Sequence, residues 1–212
     1  FGIPLFVSSH RYFPERARTY SSLNAVAADV DVNSKAYAAA QSAFSQSNGL
    51  EAFILGRREA DAQIFPTAAP AQNDVFEITI EVNDNDKSTF VYTEISATPT
   101  AEDVCTGLKG LIDADLDIAA HITATVVGTG AAAVLEITPI LSTDYFVISD
   151  LVDLSSTFTS SETAEQVLTA IEEETQDFYT VSVDDKTQQF VLNMSIAVNA
   201  REKMFWVSTY EQ

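Results

Sequence analysis

The stretch AFILGRR, residues 52–58, is an apolar run that stops abruptly at two arginines. Apolar side chains fill successive positions instead of alternate ones, so an extended segment here is covered on both faces, as strands of parallel sheets are. IPLFVSS, residues 3–9, has the same character. Between the two runs, residues 21–49 (SSLNAVAADVDVNSKAYAAAQSAFSQSNG) carry two helical patches. Asn33 or Ser34 can cap the second patch, Tyr37, Ala40 and Phe44 recur at spacings of three and four, and Asn48-Gly49 ends it. Strand, helix and strand at this spacing spell a βαβ unit with parallel strands and a right-handed crossover. The fold class expected is therefore α/β.

Downstream the grammar changes. PTAAPAQND (66–74) is rich in Pro and Ala and reads as a linker, spanning about 64–73. VFEITIEV (75–82) and STFVYTEI (88–95) alternate apolar and polar residues around NDNDK (83–87), which predicts an antiparallel hairpin with one wet face. In TPTAEDVCTGLKGLIDAD (98–115), Thr100 and Asp103 form a capping-box pattern, and Val104, Leu108, Leu111 and Ile112 make one apolar stripe. HITATVVGTGAAAVLEITPI (121–140) reads as two strands around a glycine turn, and DYFVISDL (144–151) as another strand. After a second linker at 156–161, the βα alternation resumes. SETAEQVLTAIEEETQ (161–176) reads as a Ser-capped helix, DFYTVSV (177–183) as a strand, KTQQFVLNMSIAVNAR (186–201) as a helix and KMFWVSTYE (203–211) as a strand. The expected organisation is a discontinuous α/β domain, 1–63 plus 162–212, with a parallel-type βαβ layer interrupted by an acidic, hairpin-rich α+β module at 74–155.

Charge follows the same division. The chain carries 11 Lys+Arg against 31 Asp+Glu, a formal net charge of −20. Residues 1–63 hold six basic and six acidic groups, residues 64–161 two and fifteen, residues 162–212 three and ten. A field of this sign repels phosphate backbones, which argues against a nucleic-acid partner. No apolar window is long enough for a spanning helix, so direct membrane insertion is not expected. The basic residues follow the first apolar run instead of preceding it, the reverse of a secretory leader. The single cysteine, Cys105, lies on the apolar stripe at 98–115, where a buried, inert thiol is the expectation.

The chemistry-bearing patterns fail on their own terms. An EF-hand loop starting at Asp84 needs Gly and Glu where the chain has Thr89 and Ile95. GTGAAA (128–133) precedes a strand and not the helix a phosphate turn requires. His10 and His121, the only histidines, belong to no metal-ligand spacing. The ends of the buried strands offer Ser8, Ser9, Arg57, Arg58 and Asp184, the place where open α/β sheets bind ligands, but no nucleophile–base–orienter set. No catalytic, cofactor-binding or metal-ligating residue is assigned, and the chain is not expected to be an enzyme. The scarce cations stand out: Arg11, Arg16, Arg18, Arg57 and Arg58 lie among aromatic residues. Two readings fit them. They form local salt bridges with Glu15, Glu59 or Asp61, or they anchor contacts with acidic surfaces of other copies.

The F-x-x-P-L opening, the E-R-x-R-x-Y-S-S segment at 15–22, the S-K-A-Y-x-A-A-x-x-A-F-x-Q helix at 34–46 and the G-R-R strand end at 56–58 together resemble the N-terminal region of contractile-tail sheath proteins of myovirus bacteriophages. FYTVSVDDKTQQFVLNMSIAVNAREKMFWVSTYE (178–211) is similar to the family's next β-α-β segment. The resemblance covers residues 1–60 and 176–212; the hairpin-rich middle matches in pattern alone. It implies a structural subunit of the virion tail, assembled in the host cytoplasm, with other sheath subunits and the tail tube protein as partners. Hexameric rings of such subunits contract to drive the tube through the host envelope. The five arginines would then be inter-subunit contacts. The family joins neighbours through terminal arms that add strands to adjacent sheets, and a chain that begins inside its first core strand and stops at STYEQ is expected to be a fragment without arms or C-terminal domain. The alternative is a surface module of a viral or bacterial particle, whose acidic insertion binds a receptor or glycan.

Overall fold

A computed structural model describes residues 2–46, 50–83 and 86–207. The chain is of the α/β class and divides into two compact units. The α/β unit comprises residues 1–10, 15–60 and 160–212, and the acidic unit residues 11–14 and 61–159.

The α/β unit is built on a five-stranded sheet. Its strands are β1 (Ile3–Ser9), β2 (Ala17–Tyr20), β3 (Phe53–Arg58), β11 (Phe178–Val183) and β12 (Met204–Phe205), in the order β12-β11-β1-β3-β2. The β1 strand runs parallel to both β3 and β11, with Leu5 opposite Ile54 on one side and Val181 on the other. The β12 strand continues the parallel set, whereas β2 pairs antiparallel to β3, Ala17 facing Gly56. All six residues of β3 are buried, which its unbroken apolar run requires. Helices α1 (Leu23–Asp29) and α2 (Lys35–Phe44) lie between β2 and β3 in sequence, and α2 packs on β1 and β3. Ser34 caps α2, its hydroxyl accepting the Tyr37 amide at 3.1 Å. The residues thought to end this helix, Asn48 and Gly49, lie outside the described residues.

The core of this unit joins Leu5, Val7, Ile54 and Val181 to α5 (Ala164–Glu174) and α6 (Gln188–Ala200) through Val167, Leu168, Ile171 and Met194. Gly56 is required by this packing. A Cβ there would meet Ile171 Cδ1 at 2.6 Å and Leu5 Cδ1 at 2.9 Å. The α5 cap is Thr163 and not a serine: its hydroxyl and the Gln166 side chain form a reciprocal capping box.

The acidic unit has two antiparallel sheets. One has the order β10-β4-β8-β7, from β10 (Leu154–Thr159), β4 (Asp61–Pro66), β8 (Val134–Pro139) and β7 (Ile122–Val127). The other has the order β6-β5-β9, from β6 (Asp86–Thr93), β5 (Val75–Val82) and β9 (Phe146–Val152). The long helix α3 (Ala101–Ala114) carries the Thr100–Asp103 capping box. It buries Val104, Cys105, Leu108 and Ile112 against Ile64, Ile78, Ile80, Leu135 and Phe146. Leu111 turns outward, 38% exposed, because Cys105 takes its place on the inner face at helical spacing. A short turn of helix, α4 (Leu116–Ala119), leads into β7.

Three features depart from the sequence reading. Strand β4 includes Ile64–Pro66, which composition assigned to a linker, and it pairs with β10 and β8, whose partner residues lie far along the chain. The β10 strand occupies most of the second linker, its polar LSSTFT run alternating weakly. Residues Arg11–Pro14, which the expected boundaries place in the α/β domain with the rest of 1–63, belong to the acidic unit. There Phe13 is fully buried, the Tyr12 ring meets Phe158 edge-on at 6.2 Å, and the Phe146 amide donates to the Arg11 carbonyl at 2.8 Å.

Candidate functional site

The arginines singled out in the sequence fall into both units. Four of them lie on β3 and on or just before β2, in the α/β unit. Arg58, at the carboxyl end of β3, is 7% exposed. Its Nη1 donates to Asp185 Oδ2 at 2.7 Å, and Nε and Nη2 donate to the Glu162 carbonyl at 3.0 and 2.8 Å. The guanidinium carbon lies 3.9 Å above the Phe190 ring of α6, so one face is covered by an aromatic quadrupole. Burial raises the Asp185 carboxyl, but the Thr187 amide and the Arg58 guanidinium outweigh it and hold the group below its ordinary range.

Arg57, 2% exposed, points to the opposite face. Its Nε donates to the Glu15 carbonyl at 3.0 Å, and Nη2 lies 3.7 Å from Glu59 Oε1. Arg16 pairs closely with Glu162 and reaches Glu59 at 3.7 Å. Its backbone N–H and that of Ala17 donate to the Glu174 carboxylate at 2.8 and 2.9 Å, which docks β2 onto the end of α5. Arg18 bridges Asp29 at 2.9 Å and Glu15 at 2.6 Å, and Tyr20 donates to the same Asp29 at 2.9 Å. Burial lowers the Arg18 pKa, but the two carboxylates outweigh it and raise the value overall. Arg11 lies in the acidic unit and is 7% exposed.

The cations of this cluster are thus engaged within the chain's own fold. Arg16 and Arg18 keep the larger solvent fractions, with side chains 18% and 27% exposed. Beside Arg16, an open surface groove is lined by Glu162, Glu165, Gln166, Thr169, Ala170 and Glu173. Several residues of the ionic network escaped the sequence reading, Glu162 and Arg201 foremost. Glu162 ties Arg16, the Glu59 amide and, through its carbonyl, Arg58. Arg201 joins α6 to α5 by donating to Glu165 at 2.9 Å and Glu172 at 2.7 Å. Scarcity of cations in a segment of net charge −7 was the available signal for Arg201; Glu162, one acid among many, gave none.

The carboxyl ends of β1 and β11 bring Ser8 and Asp184 together. Ser8 Oγ donates to Asp184 Oδ2 at 2.9 Å, and the Ser9 amide donates to the same oxygen at 3.0 Å. Both hydrogen bonds end on one carboxylate, and Ser8 is 4% exposed. The Cys105 thiol is buried, which pushes its pKa up to about 11. Gly128 and Gly130 have positive φ of 85° and 58°, and the Gly130 amide already donates to Glu102 at 2.7 Å, as in a closed hairpin turn. Asp84 of the NDNDK turn lies outside the described residues. Among the described residues, no group of three His, Cys, Asp or Glu side chains is placed to hold a metal ion, and no helix is long and apolar enough to cross a membrane. In comparison with known proteins, the chain matches no family model and no curated protein.

Proposed function

We propose that this chain is a structural subunit of a bacteriophage contractile tail sheath, working by subunit–subunit contacts and not by catalysis. The observation that carries the reading is a coincidence of sequence and fold. The two stretches that resemble sheath proteins are separated by the whole acidic module, yet their strands interleave in one sheet, with β1 hydrogen-bonded between β3 and β11. Contacts that repeat without closing a ring generate helical arrays, and the contraction that the resemblance implies rearranges subunits as near-rigid bodies. Arginine–carboxylate ties between β2, β3, α5 and α6 suit that demand. Of the proposed contact residues, Arg16 and Arg18 are the ones to test at interfaces, because their side chains reach solvent. Arg57 and Arg58 act on assembly through the fold. The test is electron microscopy of the full-length gene product expressed alone at high concentration. Tubes or stacked rings support the reading, and a dispersed monomer under all ionic conditions overturns it.

A second reading rests on the acidic unit having a hydrophobic core of its own and 16 acidic against three basic residues. As a surface-binding module it would retain a receptor or glycan on an array probed with the intact chain. An absence of retention on such an array rejects this alternative.

A further inference from the structure

One polar corner of the acidic unit is not used by either reading. The turn after β5 brings Asn83, the turn between α4 and β7 brings His121, and the connection between β8 and β9 brings Asp144. Asn83 has the left-handed φ of 52° that asparagine tolerates. Its orientation is fixed by Tyr145, whose N–H donates to Asn83 Oδ1 at 3.1 Å while the Asn83 N–H donates to the Tyr145 carbonyl at 3.1 Å. The Asn83 Nδ2 therefore faces the corner. It lies 3.0 Å from His121 Nδ1 and 3.2 Å from Asp144 Oδ1, and those two atoms are 3.2 Å apart. Asp144, 4% exposed, accepts the Leu141 amide on its other oxygen at 2.9 Å, and the Ile140 amide donates to the His121 carbonyl at 2.9 Å.

This triangle has two incompatible hydrogen-bond arrangements. A bare Nδ1 accepts from Asn83 but sets its lone pair against the carboxylate. A protonated Nδ1 donates to Asp144 Oδ1, and Asn83 then serves Asp144 alone. The fully protonated ring places its positive charge directly against a carboxylate that is nearly out of water, with its outer edge still wet at 32% side-chain exposure.

We propose that Asn83, His121 and Asp144 form a proton-operated clasp: protonation of His121 tightens the hold on the 140–145 connection, and loss of that proton loosens it. The connection carries Ile140 and Leu141, 49% and 60% exposed, so the clasp governs how firmly an apolar tip is presented. Among the described residues, the ionisable groups within hydrogen-bond distance at the corner are His121 from the α4–β7 turn and Asp144 from the β8–β9 connection, and Asn83 supplies an uncharged amide. Burial raises the Asp144 carboxyl, but the Leu141 amide, Asn83 and His121 outweigh it and keep the group below its ordinary range. The clasp therefore needs an ionised Asp144 and a protonated His121 together, and it is lost when either condition fails.

Thermal unfolding of the full chain, its H121Q and D144N variants and the double variant, at pH 5.5 and pH 8, tests this. The gap in Tm between wild type and H121Q widens at pH 5.5 by about 2 °C relative to pH 8, and the widening disappears in the D144N background. His10 is common to every variant and cancels. An equal gap at both pH values, or one that persists without Asp144, overturns the proposal. If D144N does not fold, NMR of the wild type decides. Leu141 and Tyr145 amide shifts that follow His121 titration support the clasp, and shifts that ignore it reject it.

Discussion

In the α/β unit, guanidinium groups hold many of the carboxylates; in the acidic unit, backbone amides hold most of those with described partners. The first contains eight of the eleven Lys+Arg residues, and its acids Glu162, Glu165, Glu172 and Asp185 each meet an arginine. The second has three cations for 16 acids. There Asp103 caps α3, Asp115 caps α4, Glu102 takes the Gly130 amide, Asp74 the Ala71 amide and Asp144 the Leu141 amide. The arginine pairs with Glu162, Glu165, Glu172 and Asp185 span elements distant in sequence, whereas the Asp103 and Asp115 caps are local. The α/β unit thus uses its charges to hold β2, α5 and α6 on the sheet, and the acidic unit, at a net charge of −13, uses its charges to end helices and close turns.

The sharpest way to break the contrast is Phe13→Ala. Phe13 lies close to the motif arginines in sequence but is buried in the acidic unit, so the loss of about 3–5 kcal/mol typical of a core phenylalanine should appear in that unit. Hydrogen exchange resolved by segment should show faster exchange across β5, β9 and α3 than across β1 and β3. Arg58→Ala strikes the other side. It leaves Asp185 and the Glu162 carbonyl without their donor, at a cost of about 3 kcal/mol, read as a lower urea midpoint. Gly56→Ala forces a methyl against Ile171 and Leu5 and should cost about 2 kcal/mol in the same assay. Thr100→Ala removes the α3 cap for about 1 kcal/mol, with Cys105 as the reporter. The thiol should resist an aromatic disulfide reagent at pH 7.5 in the native chain and react in proportion to opening of the acidic unit.

Acid should act on both units with the same sign. Asp185 and Glu165 in one, and Asp144 and Asp115 in the other, are held below their ordinary values. Their contribution is present above the unfolded carboxyl value near 4 and is lost as pH falls through the folded values. Urea midpoints should therefore be flat from pH 8 to about pH 5 and fall below it, apart from the small His121 effect. Salt should separate the units again: added chloride screens the arginine ties of one and the self-repulsion of the other. Exchange rates in the two should then shift in opposite directions, by the smallest margin of the set.

What the sequence disclosed follows the range of the interaction. The β1 and β3 strands were legible because double-sided burial writes itself as an unbroken apolar run, and α3 because a capping box and a stripe are local. The β2, β4 and β10 strands were not. ARTY carries two polar residues in four, DAQIFP ends on proline, and LSSTFT is mostly hydroxyls. Each earns its place from a partner strand that composition does not reveal, as with Phe65 opposite Ser155. The arginine cluster was visible as a scarcity of cations, and Glu15 and Glu59 as local counter-charges that the structure does pair with it, but its distant carboxylates were hidden. Glu162, Glu174 and Asp185 lie more than a hundred residues from the arginines they meet.

The four residues Arg11–Pro14 have a practical consequence for anyone trimming this protein. The polypeptide passes between the units four times, so excising 74–155 with a short splice does not yield a clean α/β remnant. It strips Tyr12 and Phe13 of most of the unit that buries them, leaving Phe158 but removing β5, β9 and α3, and newly exposed rings invite aggregation. A soluble minimal version needs those two positions rewritten with polar residues in the same cut, and an unmodified deletion that precipitates says nothing about what the missing module does.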